Sequence, residues 1–265
     1  MTQTATREAR EESQQMLPAE GGKQSLVDVY NRYFQYRIAR TSQEFEAAHR
    51  LRYDVYCEET GFLSKTENPN GLEQDEHDCH SLQSVLYHRL SGVPVGTVRV
   101  VLPLPDMAGC GLPARMAAPG LDLMPESLLP RATTGEISRF SIHGDFRKRR
   151  GDGLYPALHT ADMPDPRRII PHMTLGLMTS IFEMTLEAGL THLCAIIDPA
   201  LWRMLRMLGL HFKAAGPQVD FHGPRQPVYA SCDELIALVR DNNPDIYGVI
   251  SSNERFQIHA HSAAL

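Results

Sequence analysis

The stretch at residues 135–142 constrains the fold most, because it has the pattern of a β-strand and yet carries two opposite charges. It reads Gly-Glu-Ile-Ser-Arg-Phe-Ser-Ile, with Glu136 and Arg139 among apolar residues. An unpaired charge in a core strand costs roughly several kcal/mol, so the fold must supply partners or a water-lined cleft. In a regular strand these two side chains point to opposite faces, and a β-bulge between them would bring both to one cleft. We therefore expect a site here.

Composition indicates an ordinary soluble globular protein, with 42% hydrophobic and 22% charged residues in a chain of 265. The net charge of −6 argues against a dedicated nucleic-acid binder. The five cysteines are scattered and form no C-x-x-C pair, which argues against a disulfide framework and a zinc site. Neither a signal-peptide pattern nor an apolar run of roughly 18 residues is present, so we expect a cytoplasmic protein without a transmembrane segment.

Hydrophobic periodicity predicts one mixed α/β domain over residues 25–248, between polar tails at 1–24 and 249–265. Ser91-Gly92 is typical of a hairpin turn, and Thr41 with Glu44 forms a capping box. Two irregular segments, 104–133 and 144–168, are long enough to suggest lids or binding loops. The predicted helices are 26–33, 41–59, 170–188, 199–208 and 233–240. The predicted strands are 34–39, 81–90, 93–103, 135–142, 191–197, 210–214, 219–222 and 228–231. We expect residues 191–214 to form a βαβ-like unit.

Further charges occur where apolar residues are expected. Arg99 lies in the strand at 95–101, and Arg52 lies at the edge of the apolar stripe of the 41–59 helix. Asp75 and Asp78, in the acidic run at 73–78, are candidate partners. The alternative is that these are ordinary ion pairs on a solvent-facing surface. We predict no metal site, since the adjacent residues Asp75, His77, Asp78, Cys79 and His80 cannot all face one ion.

Four segments in order, 52–56, 73–78, 96–99 and 136–140, resemble the signature of autoinducer-synthase-like acyltransferases, which have a GNAT-like fold. Within that group the chain looks most like the N-acyl amino acid synthases and the relatives associated with PEP-CTERM/exosortase systems. The resemblance implies a largely antiparallel sheet flanked by helices. It also implies an enzyme that moves a long-chain acyl group from an acyl carrier protein thioester, or from acyl-CoA, to a small amine. No permanently bound cofactor is implied.

The resemblance assigns roles to the charged residues. Glu136 would be the general base. Because arginine binds both oxygens of a carboxylate, an amino acid acceptor is consistent with the pattern. The basic run that begins at residue 147 would attract an acidic carrier protein, or would be a solvated loop. The implied residues are, for catalysis, Glu136, Ser138 and Arg139; for the substrate, Arg52, Tyr56, Asp75, Asp78, Arg99 and Phe140; and for the carrier protein or phosphopantetheine, Arg147, Lys148, Arg149 and Arg150.

Two departures from simpler relatives limit the resemblance. Homoserine-lactone synthases carry a tryptophan shortly after the first motif, where this chain has Phe62, which argues against S-adenosylmethionine as the acceptor. Residues 148–153 are similar to a coenzyme A loop, but prolines at 156, 164, 166 and 171 prevent a regular helix directly after it.

Several alternatives stay open at this stage. They are an acyl-homoserine-lactone synthase, an acyl-CoA-dependent N-acetyltransferase, and a non-catalytic module that binds an acyl ligand or a carrier protein. Contact with a membrane surface also stays open. The helical stretches at 173–186 and 201–208 would line an acyl slot or belong to the core.

Overall fold

An open, mostly antiparallel sheet organises the computed structural model, which describes residues 26–104, 106–146 and 166–251. Its helices and strands are α1 (Leu26–Tyr33), β1 (Phe34–Ile38), α2 (Ser42–Tyr53), β2 (Ser81–His88), β3 (Pro94–Val101), α3 (Pro113–Ala117), α4 (Pro119–Asp122), β4 (Thr134–Ile142), α5 (Pro166–Glu187), β5 (His192–Ile197), α6 (Pro199–Met207), β6 (Lys213–Ala214), β7 (Val219–Asp220), β8 (Pro224–Ser231), α7 (Cys232–Asn242) and α8 (Pro244–Ser251). Within this part the sheet has eight strands in the order β1–β2–β3–β4–β5–β8–β6, with β7 paired to β8. The predicted mixed α/β class is therefore confirmed.

The N-terminal half follows the local signals of the sequence. The Thr41 hydroxyl accepts the Glu44 backbone N–H and the Glu44 carboxylate accepts the Thr41 N–H, so the predicted capping box begins α2. Helix α2 continues as a π-helical turn over Asp54–Glu59. Strands β2 and β3 pair in antiparallel fashion, as predicted, and Gly92 between them has a φ of +68°. A positive φ suits glycine, which explains the turn.

The C-terminal half corrects the predicted βαβ-like unit at 191–214. Its second strand is only Lys213–Ala214, and this strand pairs with β8 instead of β5. Strand β8 pairs with β5 over six residues and so occupies the place beside it. The parallel pair is instead β4 with β5, joined through α5, and it extends over only three residue pairs.

The segment at 104–133, expected to be irregular, packs against the sheet. Two short helices, α3 and α4, contribute Ala114 and Leu121 to a second apolar cluster beneath them. Gly120 permits this close packing, since a Cβ there would lie 1.9 Å from the Ala215 carbonyl oxygen. A side chain at position 120 would therefore displace the segment.

The helices at the ends of the domain extend beyond their predicted limits. Helix α5 begins at Pro166, four residues before the predicted start at residue 170. Helix α8 was not predicted, and its buried Val249 and Ile250 extend the packed chain to Ser251. The main core lies between α5 and strands β1–β3, with α1 and α8 beside it.

Candidate active site

Strand β4 contains a β-bulge at the position that the charges of the sequence require. Arg99 of β3 pairs with Ser138 and Thr97 pairs with Ser141, so β4 has one extra residue between these pairs. Arg139 has a φ of +51° there, an uncommon value for a residue with a side chain. The bulge turns Arg139 to the same side of the sheet as Glu136. The geometric conflict between these two residues is thereby resolved.

Behind the bulge lies a buried ionic network of three arginines and three carboxylates. Arg52 binds Asp78 through both terminal nitrogens, at 2.7 and 3.1 Å, and binds Glu73 through Nε. Arg99 contacts both Asp75 and Asp78, and Arg139 contacts Glu73 and Asp75, the latter at 2.9 Å. Every carboxylate therefore bridges two arginines. The six members are Arg52, Arg99, Arg139, Glu73, Asp75 and Asp78.

The network keeps its carboxylates ionised. Burial would raise the pKa of Asp78, but hydrogen bonds and charge from Arg52 and the charge of Arg99 lower it well below its usual range. The pKa values of Glu73 and Asp75 are likewise lowered by their arginines, against the opposing effect of burial. With three positive and three negative charges the cluster is neutral, so its burial does not leave a charge uncompensated.

Glu136 is the exception among these carboxylates. Its side chain is buried, and its Oε2 accepts the backbone N–H of Ala114 at 2.6 Å. Burial raises the pKa of Glu136 to about 7, although the Ala114 N–H and the charges of Arg99 and Arg139 oppose the shift. Oε1 has no hydrogen-bond partner among the described residues. A carboxylate with a pKa near neutrality and a free oxygen is suited to general acid–base chemistry.

Two clefts meet at the bulge. Beyond their three paired residues β4 and β5 diverge, and the apolar cleft between them, of about 360 Å³, is lined by side chains such as Tyr56, Phe140, Met178 and Leu205. The ionic cleft, of about 330 Å³, contains Glu136 and the exposed side of the network. The residues that line both clefts are Ile137, Ser138, Arg139 and Ile196.

The structure brings the predicted site residues of the described part together around this junction. Ser138 Oγ accepts a hydrogen bond from Arg99 Nε at 2.9 Å. The Arg139 guanidinium lies 5.5 Å from the centre of the Tyr56 ring, and Phe140 lines the apolar cleft. Arg147, Lys148, Arg149 and Arg150 lie outside the described residues.

Sequence reasoning missed three participants. Glu73 lies in the acidic run at 73–78, but it was not assigned a role, because its partners Arg52 and Arg139 lie in separate parts of the chain. Gln83 accepts a hydrogen bond from Arg52 and donates one to Asp78. Its polar side chain within a predicted strand was the signal by which it could have been found. The Ala114 N–H, which binds Glu136, belongs to the backbone and has no side-chain signal.

Comparison with known proteins identifies the fold. Residues 51–155 match the sequence profile of a family described as an acetyltransferase (GNAT) domain. The chain has the GNAT fold. Solved structures agree: TofI in a ternary complex with an inhibitor and MTA has a TM-score of 0.52, with 18% identity over 80% of this chain and 98% of TofI. The AHL synthase LasI has a TM-score of 0.51, with 16% identity over 75% of this chain and 89% of LasI.

A third solved structure is similar in fold to this chain. The CoA-dependent acyl-homoserine lactone synthase BjaI, with SAM and isopentyl-CoA, has a TM-score of 0.50, with 18% identity over 82% of this chain and 86% of BjaI. No curated protein matches the sequence significantly. The GNAT profile and fold support the prediction of an acyltransferase enzyme.

None of the helices in the part of the chain that the structure describes has the length and apolar character needed to cross a membrane. In the same ranges, no group of three or more histidine, cysteine, aspartate or glutamate side chains has an arrangement that could bind a metal ion.

Proposed function

We propose that the chain is an N-acyltransferase that moves a long-chain fatty acyl group from an acyl carrier protein thioester to the amine of a small acceptor. The observation that carries the proposal is the junction of the two clefts. A thioester carbonyl at the shared wall would have the apolar cleft on one side and Glu136 on the other. An acyl chain fits the apolar cleft because burial of each CH₂ group stabilises the complex by about 0.8 kcal/mol.

The chemistry follows from the state of Glu136. An acceptor ammonium must lose a proton before its nitrogen can attack a thioester, and Glu136 Oε1 is available to take that proton. The nitrogen then forms a bond to the carbonyl carbon, the carbon–sulfur bond breaks, and the departing sulfur takes up the proton from the Glu136 carboxyl. The second proton of the nitrogen passes to the regenerated Glu136 carboxylate and from there to solvent, which leaves a neutral amide. Arg139 and Phe140 lie outside the residue pairing with β3, so backbone N–H groups of the bulge are candidates to stabilise the oxyanion.

An amino acid is the acceptor that we favour. Arg139 uses Nε and Nη2 for Glu73 and Asp75, and Nη1 has no hydrogen-bond partner among the described residues. Its two N–H groups, beside both clefts, are suited to the acceptor's carboxylate. An acceptor with its ammonium at Glu136 and its carboxylate at Arg139 would be fixed at two points.

Product analysis tests the proposal. The protein is incubated with long-chain acyl carrier protein, or with long-chain acyl-CoA, and with pooled amino acids; lipids are then analysed by mass spectrometry and thiol release is followed. We expect an N-acyl amino acid together with stoichiometric thiol release. Formation of a lactone product from S-adenosylmethionine would favour a homoserine-lactone synthase instead. Absence of any acyl product and of thiol release would leave the non-catalytic binding module as the better explanation.

The basic run is the basis for a prediction about the donor. Replacing Arg149 and Arg150 with serine removes two positive charges from residues 147–150, so binding of the acidic acyl carrier protein is expected to weaken at low salt. The difference in affinity between the variant and the wild type should diminish as ionic strength rises, because salt screens exposed charges. Affinity measured by titration calorimetry at two salt concentrations checks this. Replacement of the exposed Arg240, which is remote from the basic run in the sequence, is the control, and an unchanged affinity in the Arg149 and Arg150 variant would remove the basic run from carrier binding.

A further inference from the structure

Arg115 is an unusual buried cation close to the candidate active site. It is 1% exposed and lies in α3, directly after Ala114. Its terminal nitrogens donate to two backbone carbonyls, Leu121 at 3.4 Å and Leu129 at 3.0 Å. No carboxylate pairs with it among the described residues, and its Nε has no hydrogen-bond partner there. Burial of a cation is costly unless it is paired, so this arrangement requires an explanation.

The two carbonyls explain what Arg115 fixes. They belong to separate points of the segment at 113–129, so one planar guanidinium near the start of that segment binds both its middle and its end. The apolar residues around it form the second cluster, which includes Leu121 and Leu129. The segment is otherwise composed of two helices of five and four residues, which are too short to be stable by themselves.

The neighbouring residue makes the connection to the active site. Ala114 donates its N–H to Glu136 Oε2 at 2.6 Å, and this is the one hydrogen bond of the Glu136 side chain within the described residues. The Cys194 thiol lies opposite Glu136 on β5; burial raises its pKa, with Glu136 adding to the shift and Arg115 opposing it. Arg115 and Glu136 are thus both close to Cys194.

We propose that Arg115 is a positioning residue for Glu136: by binding the carbonyls of Leu121 and Leu129, it fixes the segment that presents the Ala114 N–H to Glu136 Oε2. This rests on the proposed function only in giving Glu136 a catalytic role. The geometric relation itself can be measured without a substrate.

The sign of the effect follows from the groups around Glu136. The Ala114 N–H bond and the nearby cations favour the ionised carboxylate, whereas burial and Asp75 oppose it. Loss of Arg115 would loosen the N–H bond and remove a cation, and both changes disfavour ionisation. The pKa of Glu136 should therefore rise. The charged and titratable groups that face Glu136 or share its cleft are Arg99 on β3, Arg139 on β4, Cys194 on β5, Arg115 on α3, and Asp75, Glu76 and His77 at the turn before β2.

The test is a titration of the Glu136 carboxyl carbon by NMR, in full-length protein labelled with [5-¹³C]glutamate and assigned with Glu136→Gln. The wild-type midpoint should be about 7. In Arg115→Met we expect the midpoint to rise by about one pH unit. Val239→Ala, which makes a cavity in the main core outside the 113–129 segment, should lower the melting temperature and leave the midpoint unchanged. A midpoint that moves equally in both variants, or in neither, would overturn the proposal.

Arg115→Lys is the second variant. It keeps the charge, but one ammonium cannot reproduce the fork that binds two carbonyls, so a smaller rise in the midpoint is expected. If Arg115→Met does not fold, Arg115→Lys decides the question, and a wild-type midpoint there would overturn the proposal. In an active enzyme the acidic limb of kcat/KM should move with the NMR midpoint. Absence of thiol release by the wild type would contradict the proposed function, while the titration would still decide the role of Arg115.

Discussion

Glu136→Gln is expected to lower turnover by at least about tenfold and, at the same time, to make the protein more stable above pH 7. The loss of activity follows from the proposed general-base role, because positioned proton transfer contributes typically about 10²- to 10⁴-fold. The amide oxygen of glutamine can still accept the Ala114 N–H, so the geometry around residue 136 should be retained. Proton transfer is therefore the main property that the substitution removes.

The gain in stability follows from the pKa of Glu136, which burial raises from 4.5 to about 7. A carboxyl whose pKa is raised by folding contributes stability below its unfolded pKa and loses that contribution as the pH rises through its folded pKa. Above pH 7 the wild type therefore bears the full cost of the buried carboxylate. Glutamine does not ionise, so the variant should gain up to about 3 kcal/mol at pH 8 and little at pH 4.

Thiol-release kinetics and urea unfolding at pH 4, 6 and 8 measure the two effects. Glu67→Gln is the matched control, since Glu67 is exposed and lies away from both clefts. A variant that is less active and also less stable would indicate a structural role for Glu136. Undiminished turnover would exclude the general-base role altogether.

The sequence shows two opposite charges on strand β4, but it does not predict the β-bulge that brings them to one side of the sheet. The apolar pattern around Glu136 and Arg139 was sufficient for a strand, because alternation is a local property. The bulge depends on the register between β3 and β4, in which Thr97 and Arg99 pair with residues three apart, and register is set by contacts between distant segments. Charge placement could only indicate that a bulge was needed.

Other parts of the site were less accessible for the same physical reason. Arg115 lies in a proline-rich stretch whose pattern indicates a loop, and its burial results from packing against β5 and β8. Strand β8 lies beside β5 in the sheet, although β6, which is nearer to β5 in the sequence, was expected in that place. Strand β8 makes six residue pairs with β5, which is more than the two-residue β6 could make. Local signals thus predicted capped helices and the hairpin, whereas long-range pairing determined where the candidate catalytic residues meet.

Arg52→Met is expected to destabilise the protein by about 3–5 kcal/mol, the largest stability effect that we predict. Arg52 is fully buried and is bound to Glu73, Asp78 and Gln83. Removing it leaves the network with two arginines for three ionised carboxylates. Urea unfolding at pH 7 should show the loss. The difference from wild type should begin to narrow below about pH 4, where the carboxylates become protonated first in the unfolded chain. It should disappear only as the pH falls through their lowered pKa values in the folded protein.

Arg50→Met is the matched control for this prediction. Arg50 lies two residues away on α2, but its pair with Glu46 is exposed, so its replacement should change stability by no more than about 0.5 kcal/mol. The double variant Arg52→Met/Asp78→Asn restores the charge balance and should lose less stability than the sum of the two single variants. Strict additivity would contradict a coupled network. If Arg52→Met were instead no less stable than Arg50→Met, the buried network would be retained for the active site and not for folding.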